Sequence, residues 1–482
     1  MSRTIRILLL AASLPALAGS SAVVRGAEIG GAFVRAEAEA NPVFAPEPAP
    51  VAVPPVPPSV PNASRLGASA CEFCGRRDCF GYCRSAVAPP GDGIWERSTL
   101  GGEWCGVRPA LADTGVTLRT DLTQFYYGVS SGGRDREYRY AGHGDYVALL
   151  DGERLLGWQG FGIQLRAEHR WGESLAGATG ALLPSNVLAD LPTRVGENVY
   201  LTNVLLTQAV SENVAIYGGK LDTMDGDQNA FASGRGKTQF SNIGFVVNPV
   251  TLRTVPYSTL GAGAIFLHEG ESIGRVGVLN ALDTTRSTGF GKLFTEGAVV
   301  VAEGRLPTHL FDMPGHQLLG GTWSSRDFVA LDNDPRIVLP GTPINQQSGS
   351  WSLYWNCDQH LVTYDENGSR GWGVFGRAGL ADEQANPVAW FVSGGIGGNS
   401  PIHRREADTF GAGWFYAGAS SELSPALASA IGPVGDAQAV ELFYNVQVAP
   451  WMQITPDFQV VMPAASAVDP SIVTGVRANV AF

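Results

Sequence analysis

Three short stretches of the 482-residue sequence carry residue types that could do chemistry. Gly128-Val-Ser130-Ser-Gly132 has the G-x-S-x-G spacing of a hydrolase nucleophile, in which a strained strand-to-helix turn lifts a serine hydroxyl toward an oxyanion hole. A helix must follow that turn, and Gly133-Arg-Asp-Arg-Glu137 reads as loop, so no hydrolase is expected. Gly234-Arg-Gly236-Lys237-Thr238 imitates the end of a phosphate-binding loop, but Phe231 stands where its first glycine belongs and no strand-loop-helix context surrounds it. The seven histidines are scattered without H-E-x-x-H or comparable spacing. No enzyme activity, catalytic metal or cofactor is therefore expected.

The third stretch is of another kind. In Phe161 to Gly172, Gln164, Arg166, Glu168 and Arg170 alternate with Phe161, Ile163, Leu165, Ala167 and Trp171. Charge at every second residue puts one face of a β-strand in polar surroundings and the other in apolar ones. Such a face suits a water-filled passage, where hydrogen-bonding groups replace a solute's hydration weakly enough for it to leave. The competing reading of Arg166, Glu168 and Arg170 is a self-neutralising ladder that stiffens the wall.

The same period recurs along the chain. Arg119 and Asp121 alternate with Leu118 and Leu122; Asn445 and Gln447 with Tyr444 and Val446; Gln453, Asp457 and Gln459 with Ile454 and Phe458; and Arg477 with Val476 and Ala478. A half-buried soluble sheet also alternates, so no single strand decides the class. From Val116 onward, however, there is room for about 14 to 18 strands of about ten residues with their connections, and short turns such as Ala449-Pro-Trp451 alternate with longer polar ones. The expected fold is all-β: a transmembrane antiparallel β-barrel of about 16 strands, closed because lipid tolerates no free sheet edge. Pro109 and Gly115 bracket a short helix before the first strand.

Composition agrees. With 44% hydrophobic and 16% charged residues, 61 Gly and 30 Pro, the chain is neither a coiled coil nor a charged disordered protein. Its net charge of −12 argues against nucleic acid as a partner. Only Lys220, Lys237 and Lys292 are lysines; the other basic residues are arginines, which present a planar fork to polar ligands.

Residues 1–27 read as a secretory signal peptide, with Arg3 and Arg6, the apolar run Ile7 to Ala18, and cleavage after residue 18, 22 or 27. Residues 28–92 form a Pro-rich and Cys-rich periplasmic linker, and residues 93–482 the barrel domain. Cys71, Cys74, Cys79 and Cys83 lie within 13 residues, which two local disulfides or a structural zinc would explain; Cys105 and Cys357 could pair over a long range or stay free.

Several segments together resemble the OprB-type carbohydrate-selective porins of bacterial outer membranes. They are Leu100-Gly-Gly-Glu-Trp104-Cys-Gly-Val-Arg108 with Leu111-Ala-Asp113-Thr-Gly115; Gly218-Gly-Lys220-Leu-Asp222 with Asn229-Ala-Phe231; Gly371 to Asp382 with Asn386-Pro387 and Ser393 to Gly398; and the closing Glu441 to Gln447, Ile454 to Gln459 and Phe482. The similarity runs from about Trp95 to Phe482, and Cys105 departs from it where glycine is expected. The resemblance implies an integral outer-membrane barrel with a narrowed lumen, and passive diffusion of mono- or small oligosaccharides. It further implies contact with outer-membrane lipid, and Phe482 is similar to the signal read by the barrel-assembly machinery.

Strand parity nominates Arg119, Asp121, Gln164, Arg166, Glu168, Arg170, Lys220, Asp222, Arg377, Asn445, Gln447, Gln453, Asp457, Gln459 and Arg477 as lining the pore. Two other functions stay open: a general or anion-preferring porin, and a structural anchor that contacts the cell wall through residues 28–92. Monomer and trimer are both compatible with the sequence.

Overall fold

The computed structural model describes residues 93–193, 196–332, 345–365, 370–423 and 435–482. The expected signal peptide and the four-cysteine cluster lie outside them. Sixteen strands run in chain order: β1 (Val116–Ser131), β2 (Tyr138–Asp151), β3 (Phe161–Gly172), β4 (Tyr200–Ser211), β5 (Val214–Asp222), β6 (Ser258–His268), β7 (Glu271–Asn280) and β8 (Ala298–Leu310). They continue with β9 (Met313–Val329), β10 (Gln346–Thr363), β11 (Gly371–Ala381), β12 (Val388–Asn399), β13 (Thr409–Ala419), β14 (Ala437–Ala449), β15 (Met452–Met462) and β16 (Ser471–Ala481).

Each strand pairs antiparallel with its sequence neighbours, and β1 closes the barrel on β16 with Asp121 opposite Ala481. Closure satisfies the backbone groups of both edge strands, the requirement that made a barrel the expected fold. Connections are short at one rim, as at 212–213, 269–270, 311–312 and 450–451, and long at the other, as at 173–199, 223–257 and 281–297.

The outer wall is apolar, with Leu319, Leu353, Leu380, Leu442 and Val476 each more than a third exposed. Near the long-loop rim it carries aromatic rings, some stacked in pairs such as Tyr126 on Tyr138 (5.6 Å) and Trp390 on Tyr416 (5.0 Å). Tyr and Trp suit this level because one end of each is apolar and the other hydrogen-bonds.

The inside is not the continuous polar lining that alternation suggested. Residues 173–193 and 223–257 fold into the lumen and bury an apolar cluster against the wall, including Phe240, Phe245 and Leu188 from the connections and Phe125, Phe375, Phe391, Phe415 and Phe443 from the strands. Phe240 stacks on Phe245 at 4.6 Å and meets Phe443 edge-on at 4.9 Å. Each such ring contributes about 1.5–3 kcal/mol by leaving water, which holds the connections inside. On β1 the inner face accordingly changes from Asp121 and Thr123 to Phe125, Tyr127 and Val129. Opposite Tyr127 stands Gly475, where a Cβ would lie 1.4 Å from the ring, so only glycine lets Tyr127 reach Ser241 across the lumen (3.1 Å).

The short helix is present as α1 (Val107–Thr114), and Gly115 ends it at φ +98°, a left-handed conformation that glycine adopts freely. The segment before β1 lies across the seam between the first and last strands. Arg108 donates to the Phe482 carbonyl at 2.6 Å, the Leu100 N–H donates to Ala481 at 2.8 Å, and Trp95 stacks on Trp451 at 6.4 Å. A pairing of Cys105 with Cys357 does not occur: Cys105 is disulfide-bonded, whereas Cys357 on β10 is a free thiol.

Candidate functional site

The wall's charges meet the infolded connection 223–257 at a set of buried anchors. Arg235, in a single 3-10 turn (Gly234–Gly236), donates to Glu168 (3.0 Å), Asp222 (2.6 Å) and Asp225 (2.8 Å) and to the Tyr257 hydroxyl (3.2 Å). Arg166 binds Asp222 and Asp225, both at 3.0 Å, from the opposite side. Two residues on, the Lys237 ammonium is held between Asp121 (2.8 Å) and Asp145 (2.6 Å). Four carboxylates from the wall, Asp121, Asp145, Glu168 and Asp222, thus share three cations, and each member would be costly to bury alone.

The other wall contacts are mostly to backbone. Arg377 donates to the carbonyls of Phe245 (2.7 Å) and Ala232 (2.6 Å) as well as to the Asp227 carboxylate (2.9 Å). Arg477 donates to Gly236 (2.7 Å) and Gln239 (2.6 Å), Asn445 to Thr238 (3.0 Å) and Arg170 to Thr193 (2.6 Å). Asp457 accepts from the Ser241 hydroxyl at 3.1 Å, and Gln459 donates to Ser185 at 2.9 Å. Glu441, which parity also placed inward but was not nominated, accepts the Ser241 and Asn242 N–H groups at 2.6 and 2.9 Å.

Most nominated residues therefore point inward, but they grip the infold. Among them Arg119, Gln164, Gln447 and Gln453 remain half-buried toward the short-turn end. One nomination is corrected. Lys220 faces outward: Leu221 and Tyr217 pack in the interior cluster with Leu279 and Val299, so alternation turns Lys220 the other way, where it donates to the carbonyls of Thr285 (3.4 Å) and Ser287 (2.9 Å). Asp222 shares its parity but ends the strand and caps the turn Thr223–Asp225 with its Oδ1, which brings the carboxylate to the Arg235 anchor.

Between the infold and strands β4–β10 an open space remains. It forms a cavity of about 140 Å³ whose polar lining includes Asp225, Arg275 and Glu303, with Tyr217 and Tyr354 as its rings and Leu205, Leu221, Leu279 and Val301 as apolar walls. Arg275 is ion-paired with Glu303, which also accepts from the Tyr354 hydroxyl (2.6 Å) and the Asp227 N–H (3.2 Å). The Arg275 side chain is 31% exposed, against 7% for Glu303. A guanidinium with free edges, a carboxylate fixed by neighbours and two aromatic rings can meet hydroxyl groups and C–H faces together.

Sequence reasoning missed Arg275, Glu303, Tyr217 and Tyr354. For the two charges a signal existed: Arg275 alternates with Val276 and Val278, and Glu303 and Arg305 with Ala302 and Gly304. Arg235 and Lys237 offered none beyond the discarded phosphate-loop likeness, because residues in a connection have no parity.

Asp225 lies outside the strands and gives the anchor a definite pH dependence. Burial raises its carboxyl, but the Arg166 and Arg235 guanidiniums outweigh burial and hold it below the ordinary carboxylate value. A lowered value means that its ionised form stabilises the fold at every pH above the unfolded pKa and stops doing so as pH falls through the folded one. The stability difference between the wild type and Asp225→Asn is expected to be constant from neutral pH to about pH 5 and to vanish in more acid solution. Denaturant unfolding at stepped pH checks this; a difference that grows on acidification contradicts it.

Comparison with known proteins settles the class. Residues 135–482 match the family described as "Carbohydrate-selective porin, OprB family". The chain belongs to the OprB family. Among solved structures, the high-pH structure of Pseudomonas putida OprB is similar with a TM-score of 0.69 at 19% identity, covering 80% of this chain and 99% of that one. The low-pH structure of the same protein gives 0.50 at 16% identity, covering 80% and 98%. No curated protein matches the chain. At such identity the structures carry the fold alone, and the family match carries the rest: this OprB-family chain is a porin of the bacterial outer membrane, a transport channel.

Proposed function

We propose that this porin lets small neutral sugars diffuse passively across the outer membrane, past the Arg275–Glu303 pair. The observation that carries this reading is the cavity itself: most wall charges are consumed in holding the infold, while Arg275, Glu303, Tyr217 and Tyr354 stand beside open space. Arg donates in a plane, Glu accepts, and the rings offer faces to sugar C–H groups. The pair is neutral in sum, which suits an uncharged solute. Because Arg275 and Glu303 already satisfy each other, a sugar competes with an existing ion pair and its binding stays weak, as conduction requires.

The test is a planar bilayer holding the mature protein, with glucose or a disaccharide titrated against an inert solute of matched viscosity. Interruption of the salt current at millimolar sugar supports the reading. Steady conductance indifferent to sugar would leave a general porin, and a silent bilayer from folded protein would favour the anchoring role.

A further inference from the structure

The outward turn of Lys220 draws attention to the connection it holds. Residues 281–297 leave β7 at the long-loop rim, which in an outer-membrane barrel is the external one. They do not stand up into solvent but fold against the outer wall. The Lys220 ammonium binds the Thr285 and Ser287 carbonyls, Leu260 lies against Gly289, and the buried Asn280 side chain accepts the Phe294 N–H at 2.8 Å. Fixed in this way, the connection displays Phe290 (72% exposed), Phe294 (48%) and Leu293 (42%) just beyond Val278 of the membrane-facing wall.

Two cations sit among these apolar groups. Arg286 and Lys292 are exposed, and neither side chain has an ion-pair or hydrogen-bond partner among the described residues. The nearby acids are occupied: Asp283 accepts the N–H groups of Ser258 and Thr285, and Glu296 pairs with Arg326 at 3.4 Å. In a chain of net charge −12, a patch with exposed rings and unspent positive charge at headgroup level is complementary to an anionic lipid.

We infer that this connection binds a phosphate-bearing lipid of the outer leaflet, with Phe290, Leu293 and Phe294 against its acyl chains and Arg286 and Lys292 on its phosphates. The site lies on the outer wall and is independent of sugar passage.

The test uses the full chain in mixed micelles with lipid A, retained lipid being counted by native mass spectrometry. The wild type is expected to retain lipid A, and the double variant R286Q/K292Q to bind it about thirtyfold more weakly, since each cation near an anionic lipid surface is worth about fivefold. The charge-keeping pair R286K/K292R is expected to bind as the wild type does, and β-sheet circular dichroism and heat-shifted gel mobility check that each variant is folded. Equal retention by wild type and R286Q/K292Q overturns the inference. So does a result in which R286Q/K292Q keeps its lipid but dissociates an oligomer, because the patch would then contact a second copy of the chain.

Discussion

Replacing Arg235 by Gln is expected to lower the unfolding free energy by about 3–5 kcal/mol and to widen the channel. Truncating one partner of a buried ionic cluster costs this much because the remaining charges stay buried and uncompensated. Here Glu168, Asp222 and Asp225 would be left with Arg166 as the nearby guanidinium, and the Tyr257 hydroxyl would lose a donor. Arg235 also belongs to the connection, whereas Glu168 and Asp222 belong to the wall. Its removal therefore frees the infold more than it disturbs the strands. Urea unfolding of the refolded barrel gives the first quantity and single-channel current the second. Expected are a larger unitary conductance and more open-channel noise, with unchanged β-sheet circular dichroism. An Arg235→Gln channel as stable and as narrow as the wild type would show that the apolar cluster around Phe240 and Phe245 holds the connection without help.

Changing Arg275 to Leu is expected to weaken sugar block by about tenfold to a hundredfold while the barrel stays folded. Hydrogen bonds from a charged donor are worth about 1.5–3 kcal/mol each, and Arg275 is the half-exposed donor of the cavity. Glu303 would keep its bonds from Tyr354 and Asp227, so its carboxylate remains partnered. With the guanidinium gone, that carboxylate dominates the passage, and the current should shift toward cations in a salt gradient. Glu303→Gln should shift it the opposite way, toward anions, because Arg275 is then unneutralised. Reversal potentials in asymmetric salt distinguish the two variants. If neither moves the reversal potential or the sugar titration, the ions take another route through the lumen.

The two variants separate two uses of charge within one barrel. Around β1–β3 and β14–β16, carboxylates, arginines and amides face a folded connection and act as its attachment points. Around β7 and β8, charge faces the cavity and can act on a solute. Alternation treats both alike, because a strand turns a polar residue inward whether water or a peptide segment waits there.

What the sequence by itself determined is the closed barrel, its inside and its outside. A period of two that recurs in strand after strand from Val116 onward cannot be satisfied in lipid except by strands whose outer faces are all apolar, and the outward placement of Tyr444, Ile454 and Val476 follows from that alone. The short helix ending at Gly115 was legible for the same local reason, since only glycine reaches that conformation cheaply. What the tertiary structure decided is where the connections go. Residues 223–257 have no periodicity, so nothing in their order announced that Arg235 and Lys237 would meet Glu168 and Asp121 across the lumen, or that Phe240 would find Phe443. The same holds for the wall residues themselves: parity fixes the side to which Arg166 or Arg377 points, but whether it meets solute or protein depends on contacts far apart in sequence. Lys220 marks the limit, because its face is set by the neighbours Tyr217 and Leu221, whose inward packing only the assembled barrel reveals.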